Sequence, residues 1–131
     1  MILDSSAIVA VLLKEPGHER LLECLAENPE PGVGAPTMVE TGIVLSARLG
    51  ERGQTLLGRF TQAAELVILS CDAEHWTIAV QAFLRFGKGR HPAALNFGDC
   101  LTYATARLAN EPLLCLGEDF AKTDLMLVDH I

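Results

Sequence analysis

Asp4, Glu40, Asp99 and Asp119 are the side chains of this 131-residue chain whose type and setting suit hydrolytic chemistry. Asp4 ends the short apolar run Ile2-Leu3 and precedes Ser5-Ser6. Glu40 closes Thr37-Met38-Val39-Glu40, Asp99 closes Asn96-Phe97-Gly98-Asp99, and Asp119 lies in Gly117-Glu118-Asp119-Phe120. Carboxylates gathered in one crevice repel, so their pKa values rise or some take up protons. A hard divalent cation such as Mg2+ or Mn2+ reverses that balance, because these ions favour oxygen ligands. Such an ion activates water and neutralises charge on a phosphodiester under attack. Acids suit this work better than His or Cys, since the ion must keep open positions for water and phosphate.

Each acid also has a purely structural explanation. Asp4 fits a helix N-cap, a role that Ser5 or Ser6 could equally take. Thr37-x-x-Glu40 is a capping box, and the sequence alone favours that role for Glu40. The roles are compatible, because a helix N-terminus also holds an anion. Asn96 as N-cap puts Asp99 at the third helical position, where an acid complements the helix dipole. Gly98 beside it costs roughly 1 kcal/mol relative to Ala, so something must approach the backbone closely there. Phe120 is expected to plug into the core and fix the turn that carries Asp119.

These acids need elements to bring them together. The pattern predicts a strand at Ile2-Leu3, a helix from Ser5 or Ser6 to about Lys14, and a second from about His18 to Ala26, after the break at Glu15-Pro16-Gly17. A turn over Pro29 to Pro31 leads to a strand over Val33 to Ala35. Helices follow over Thr37 to Leu49 and Glu51 to Ala64, then a β run over Leu66 to Leu69. Asp72 caps a helix to Phe86, and a loop spans Gly87 to Pro92. Asn96 caps a helix to Leu108, with Phe97, Leu101, Ala104 and Leu108 as one inward stripe. Strands over Leu113 to Leu116 and Leu125 to Val128 flank a single turn near Asp119-Phe120. Alternating strands and helices imply one α/β domain over residues 1–131: a three-layer α/β/α fold around a central, mostly parallel sheet. In such sheets ligands bind outside the carboxyl ends of the strands; Asp4, Glu40 and Asp119 each follow a strand and Asp99 lies in the first turn of its helix, which gives all four a route to one crevice.

Composition supports a core-forming chain. Half of the residues are hydrophobic, so neither metal nor disulfide is needed for folding. Cys24, Cys71, Cys100 and Cys115 form no CxxC pair and read as reduced, mostly buried thiols. No signal peptide is evident, and the longest apolar stretch, Ala7 to Leu13, is far too short to span a bilayer. The expectation is a cytoplasmic protein without a membrane partner. A net charge of −7 argues against nucleic acid. However, cation-binding acids are neutralised in use, and a basic patch lies between Arg85 and His91.

The motifs together resemble PIN-domain nucleases over the whole chain. Ile2-Leu3-Asp4-Ser5-Ser6-Ala7 resembles the family's opening, Glu40 its second acid, Asn96-Phe97-Gly98-Asp99-Cys100 its third-acid motif, and Gly117-Glu118-Asp119-Phe120 its fourth-acid segment. The likeness is closest to the VapC toxins of VapBC toxin–antitoxin pairs, especially through Phe86-Gly87-Lys88-Gly89-Arg90-His91. That resemblance implies a Mg2+- or Mn2+-dependent endoribonuclease toxin that cuts tRNA or rRNA and stops translation. It further implies a VapB-type antitoxin and a homodimer. Asp4, Glu40, Asp99 and Asp119 would be the metal-site and catalytic acids, with Ser6 supporting them by hydrogen bonding. Where many relatives carry D-x-D-F, this chain has Gly117 at the first position. Asp124 either compensates as a supporting ligand or is an ordinary loop acid.

Arg85, Lys88, Arg90 and His91 are the candidate RNA contacts, on a glycine-broken loop that could follow a phosphate chain. The plain alternative is a solvated loop. His18, His75 and His130 read as surface or helix-end residues, and Trp76 with Phe83 as core. Val9, Leu12, Leu13, Leu21, Leu22 and Leu25 suggest either a groove for an antitoxin helix or plain packing. The rival functions are a catalytically inactive PIN-like RNA- or partner-binding module, a toxin kept permanently silent in its complex, and another α/β phosphotransferase. A haloacid-dehalogenase type would need Asp-x-Asp after the first strand, where this chain has Asp4-Ser5-Ser6.

Overall fold

Side chains alternate across a strand, so adjacent residues must serve opposite faces. Ile2 and Leu113 belong to one buried cluster, Leu3 and Leu114 to another. A sheet with apolar residues on both faces needs helices on both, and this chain supplies them. The computed structural model describes residues 1–129; His130 lies outside them. The elements are β1 (Ile2–Leu3), α1 (Ser5–Leu12), α2 (His18–Glu27), β2 (Gly32–Gly34), α3 (Ala35–Leu49), α4 (Glu51–Ala63), β3 (Val67–Leu69), α5 (Ala73–Phe86), α6 (Phe97–Ala109) and β4 (Leu113–Leu114). A 3-10 turn, Phe120–Lys122, follows.

The sheet is parallel with order β3-β2-β1-β4. Helices α1 to α4 cover the face carrying Leu3, Val33 and Leu114. Helices α5 and α6 cover the face carrying Ile2 and Leu113. This is the expected three-layer α/β/α architecture. The chain builds from β1 through β2 to β3, then returns to the other side of β1 with β4. The order therefore reverses between β1 and β4, the point outside whose carboxyl ends such sheets bind ligands. Asp4 leaves β1 there, and Asp119 follows β4.

Several expectations are corrected. The strand expected over Leu125 to Val128 reduces to one bridge, Leu127 opposite Leu113, held by the Leu113 and Val128 amides. The expected stripe on α6 holds for Ala104, which is buried, and Leu101, which packs against the core, but not for its two ends. Phe97 is 83% exposed and Leu108 lies at the surface, while Cys100, Tyr103 and Ala104 face the core. Trp76 is 62% exposed and Phe83 is also exposed, so neither is core. Val9 and Leu21 are buried, and Leu12, Leu13 and Leu25 pack against the same cluster. Of that set only Leu22 is exposed, so α1 and α2 use these side chains as core rather than as an open groove. Cys24, Cys100 and Cys115 are buried and Cys71 is exposed, all outside any disulfide. Among the described residues, no helix is long and apolar enough to cross a membrane.

Candidate active site

Asp4 caps α1 itself, in place of Ser5 or Ser6. Its Oδ2 accepts from the Ser6 amide at 3.1 Å and from Ser6 Oγ at 2.6 Å. Its Oδ1 accepts from Thr102 Oγ1 at 2.9 Å. Asp4 is only 5% exposed, and these bonds satisfy a carboxylate that burial would otherwise penalise heavily. Ser6 also ties the two strand ends together, because its Oγ accepts from the Leu116 amide at 2.9 Å. The expected hydrogen-bonding support from Ser6 is thus present in the geometry.

Glu40 is not part of a capping box. Helix α3 starts two residues earlier than expected, at Ala35, with Gly34 as its cap and no side-chain cap. Pro36 in the first turn suits that start. Thr37 Oγ1 lies 3.2 Å from Thr102 Oγ1 instead of capping. Glu40 therefore sits beyond the first turn with its carboxylate directed at α6. The close approach expected at Gly98 is this carboxylate: a Cβ added at Gly98 would overlap Glu40 Oε2.

Asp99 forms a reciprocal cap with Asn96, its amide donating to Asn96 Oδ1 at 2.9 Å and its Oδ2 accepting from the Asn96 amide at 3.0 Å. Burial pushes the Asp99 carboxyl up to about 6, against the pull of the Asn96 amide; the charges of Asp4, Asp119 and Glu40 push it the same way. The Asp99 carboxyl thus lies within electrostatic reach of the other three acids. Asp119 is the exposed member, at the start of the 3-10 turn, whose Phe120 is buried as expected. Gly117 has φ +84°, a conformation that L side chains rarely adopt.

Asp124 is not among the acids. Its Oδ1 accepts from Tyr103 Oη at 2.6 Å, and its Oδ2 accepts from Arg85 at 3.2 Å and Arg107 at 3.1 Å. Both oxygens are committed, so it acts as a clasp between α5, α6 and the C-terminal segment. Burial opposes ionisation there, but Tyr103, Arg85 and Arg107 outweigh it and lower the Asp124 carboxyl.

The basic segment is partly spoken for. Arg85 pairs with Asp124 and lies 4.6 Å from the Phe86 ring centre. Arg90 Nε donates to the Leu84 carbonyl at 3.3 Å. His91 Nδ1 accepts from the Ala93 amide at 3.0 Å, and its ring meets Phe86 edge-on. Lys88 is exposed. Gly87 is required by packing, since a Cβ there would strike the Phe83 backbone and ring.

The donor set suits a hard ion. Burial pushes the Cys115 thiol up to about 12, helped by Asp4, Asp99 and Asp119, and burial with Asp99 pushes Cys100 up to about 11. These thiols stay protonated at neutral pH, leaving oxygen as the available ligand. Among the described residues, no three His, Cys, Asp or Glu side chains are grouped closely enough to hold a metal ion among themselves. Mg2+ characteristically keeps several waters and is bound through one or two carboxylates with substrate phosphate. An open set of acids, one of them raised by burial and further by its neighbours' charges, fits that habit.

A family model of the PIN domain matches residues 1–125. The chain belongs to the PIN-domain family. It is 49% identical over 126 residues to Ribonuclease VapC36 of Mycobacterium tuberculosis, covering 95% of this chain and 91% of that one. Two solved structures share its fold. Mycobacterium tuberculosis VapC20, described as a Sarcin-Ricin loop cleaving toxin, superposes with a TM-score of 0.79 at 17% identity, covering 97% of each chain. VapBC2 of Rickettsia felis, bound to a DNA fragment from their promoter, gives 0.76 at 20% identity, covering 97% of this chain and 96% of that one.

This PIN domain places two threonines behind Asp4, of which the sequence left Thr102 unremarked and gave Thr37 only a capping role. Thr102 is 1% exposed and hydrogen-bonds Asp4; Thr37, 3% exposed, hydrogen-bonds Thr102. The available signal was spacing. Thr102 stands three residues after Asp99 and Thr37 three before Glu40, and residues three apart share a helix face.

Proposed function

We propose that this PIN domain is a divalent-metal-dependent endoribonuclease toxin, cutting tRNA or rRNA to stop translation and neutralised by a VapB-type antitoxin. The observation that carries the reading is the convergence of Asp4, Glu40, Asp99 and Asp119, felt together at the Asp99 carboxyl. The likeness to VapC36 over 95% of the chain supports RNA as the substrate. The VapBC2 structure supports an antitoxin partner.

Asp4, Glu40 and Asp99 would hold Mg2+ or Mn2+, with Asp119 as the outer, fourth acid. When bound, the ion supplies charge neutralisation at the phosphodiester and lowers the pKa of water to make a nucleophile. Asp4, fixed by Ser6 and Thr102, orients the site. Glu40, seated against Gly98, and Asp99, seated by Asn96, define its opposite side. Lys88 and Arg90 are proposed to meet substrate phosphates, with Arg85 and His91 shaping their loop. The net charge of −7 remains compatible with RNA once the acids carry a cation. Buried cysteines outside any disulfide support a cytoplasmic setting.

The reading also includes a homodimer. Val39, Ile43 and Phe97 are 62%, 64% and 83% exposed around a cavity of about 580 Å³ between α3 and α6. Contiguous apolar surface of that kind marks interfaces, and sedimentation of the purified chain should show the dimer.

The deciding experiment is incubation of antitoxin-free protein with total RNA. Discrete cleavage should appear with Mg2+ or Mn2+ and disappear with chelator. It should also disappear in Asp4→Asn, by about a hundredfold or more. Binding of RNA without cleavage under all of these conditions would instead identify an inactive binding module.

A further inference from the structure

We propose that Thr37 and Thr102 form a buried hydroxyl relay that fixes Asp4 for divalent-ion binding, making Thr102 a positioning residue. The inference rests on the metal-dependent reading above. Thr102 Oγ1 gives its single hydrogen to Asp4 Oδ1 at 2.9 Å. It must then accept from Thr37 Oγ1, 3.2 Å away, because a hydroxyl has one donor. The bonds run one way, from α3 through α6 to the end of β1, and stop on the carboxylate.

The placement of this chain separates it from ordinary core polarity. Its three members come from the three elements that supply Asp4, Glu40 and Asp99. Thr37 lies three residues before Glu40 on α3, and Thr102 three residues after Asp99 on α6. Each link is therefore one helical turn from an acid, on the same side of its helix. Thr37, Thr102 and Asp4 are 3%, 1% and 5% exposed, so water cannot replace a lost bond. Ser6 holds Oδ2 while Thr102 holds Oδ1, so the carboxylate plane is pinned from both sides. Oδ2 already accepts two bonds from Ser6, so Oδ1, with its one bond from Thr102, keeps the lone pair left for a ligand. Outer partners that orient a metal ligand typically contribute 10–100-fold to affinity.

The test is Mn2+ binding to the full chain, read from the electron paramagnetic resonance signal of free Mn2+. Thr102→Val keeps the shape and removes the hydroxyl; it should weaken Mn2+ binding by about tenfold or more. Thr102→Ser should restore binding to within about threefold, since it restores the donor. Thr37→Val/Thr102→Val removes both hydroxyls, which leaves no orphaned Thr37 donor, and should fold while retaining the weak binding. Thr41→Val is the control: Thr41 is 0% exposed and donates only to the Thr37 carbonyl, at 2.7 Å, so its loss should leave Mn2+ affinity unchanged. Wild-type affinity in a folded Thr102→Val protein, or equal losses in Thr41→Val, overturns the relay while leaving the nuclease reading intact. Absence of Mn2+ binding and of RNA cleavage in the wild type overturns both.

Discussion

Gly98 and Glu40 form a single unit in which a missing methyl group makes room for a carboxylate. Alanine at position 98 would ordinarily favour the helix by roughly 1 kcal/mol. Here it displaces Glu40, and misplacing a catalytic group by about 1 Å can cost about 10²-fold in rate. Gly98→Ala should therefore leave the thermal midpoint within a few degrees of wild type while RNA cleavage falls by roughly ten- to a hundredfold, as a fluorescent-substrate assay would show. Asp99 supplies a second test. Its carboxyl is raised from the ordinary 3.8 to about 6, so the folded chain binds this proton more tightly than the unfolded chain does. Its contribution to stability is complete below about pH 4 and is lost as pH rises through about 6. Denaturant titrations of the metal-free protein should show that decline. Divalent affinity should rise over the same interval, because the ion competes with the proton. The sequence already pointed to the close approach at Gly98, since a glycine in the first turn of a helix needs a reason. It could not point to Thr102, whose role exists only because α6 passes the end of β1.

Elements account for both the successes and the errors of the sequence reading. Helix α5 runs from its Asp72 cap to Phe86 as its signals indicate, because the cap and the helix-breaking Gly87 are local. Helix α3 starts early because its backbone follows directly from β2, and Pro36 tolerates a first-turn position that the Thr-x-x-Glu motif masked. The inward face of α6 departs from the expected stripe at its ends because burial there does not follow side-chain size. Ala104 is buried as expected, but Thr102 and Thr105 also face inward, while Phe97 faces out. Trp76 and Phe83 were misplaced for the same reason. Asp124 shows what an isolated sequence cannot reveal: its partners lie 17, 21 and 39 residues away. It joins elements rather than binding an ion, so Asp124→Ala should cost about 1 kcal/mol, as exposed pairs do. That corresponds to about 4 °C in Tm. Cleavage should stay within about threefold of wild type by the same reasoning; a collapse in Mn2+ binding would instead return Asp124 to the site.

At the scale of the molecule, the parallel sheet turns a short stretch of chain into two cores and one crevice. The alternation of short apolar runs with helical patterns made this architecture legible. The strand order was not legible, because pairing β1 with β4 depends on contacts more than a hundred residues apart. Leu114 shows how tightly core and site are joined. It is 0% exposed, and its carbonyl accepts the Asp4 amide at 3.0 Å. Leu114→Ala should cost about 2–5 kcal/mol through the cavity it leaves, measurable as a shift in the urea midpoint. The surface position of Trp76 has a practical corollary. It is the sole tryptophan and stands on α5 with its indole largely in water, away from both cores. Intrinsic emission from the native protein will already be red-shifted, and will change little as the chain denatures. The same indole becomes a sensitive optical reporter for whatever covers α5, turning blue on contact while the fold beneath stays silent.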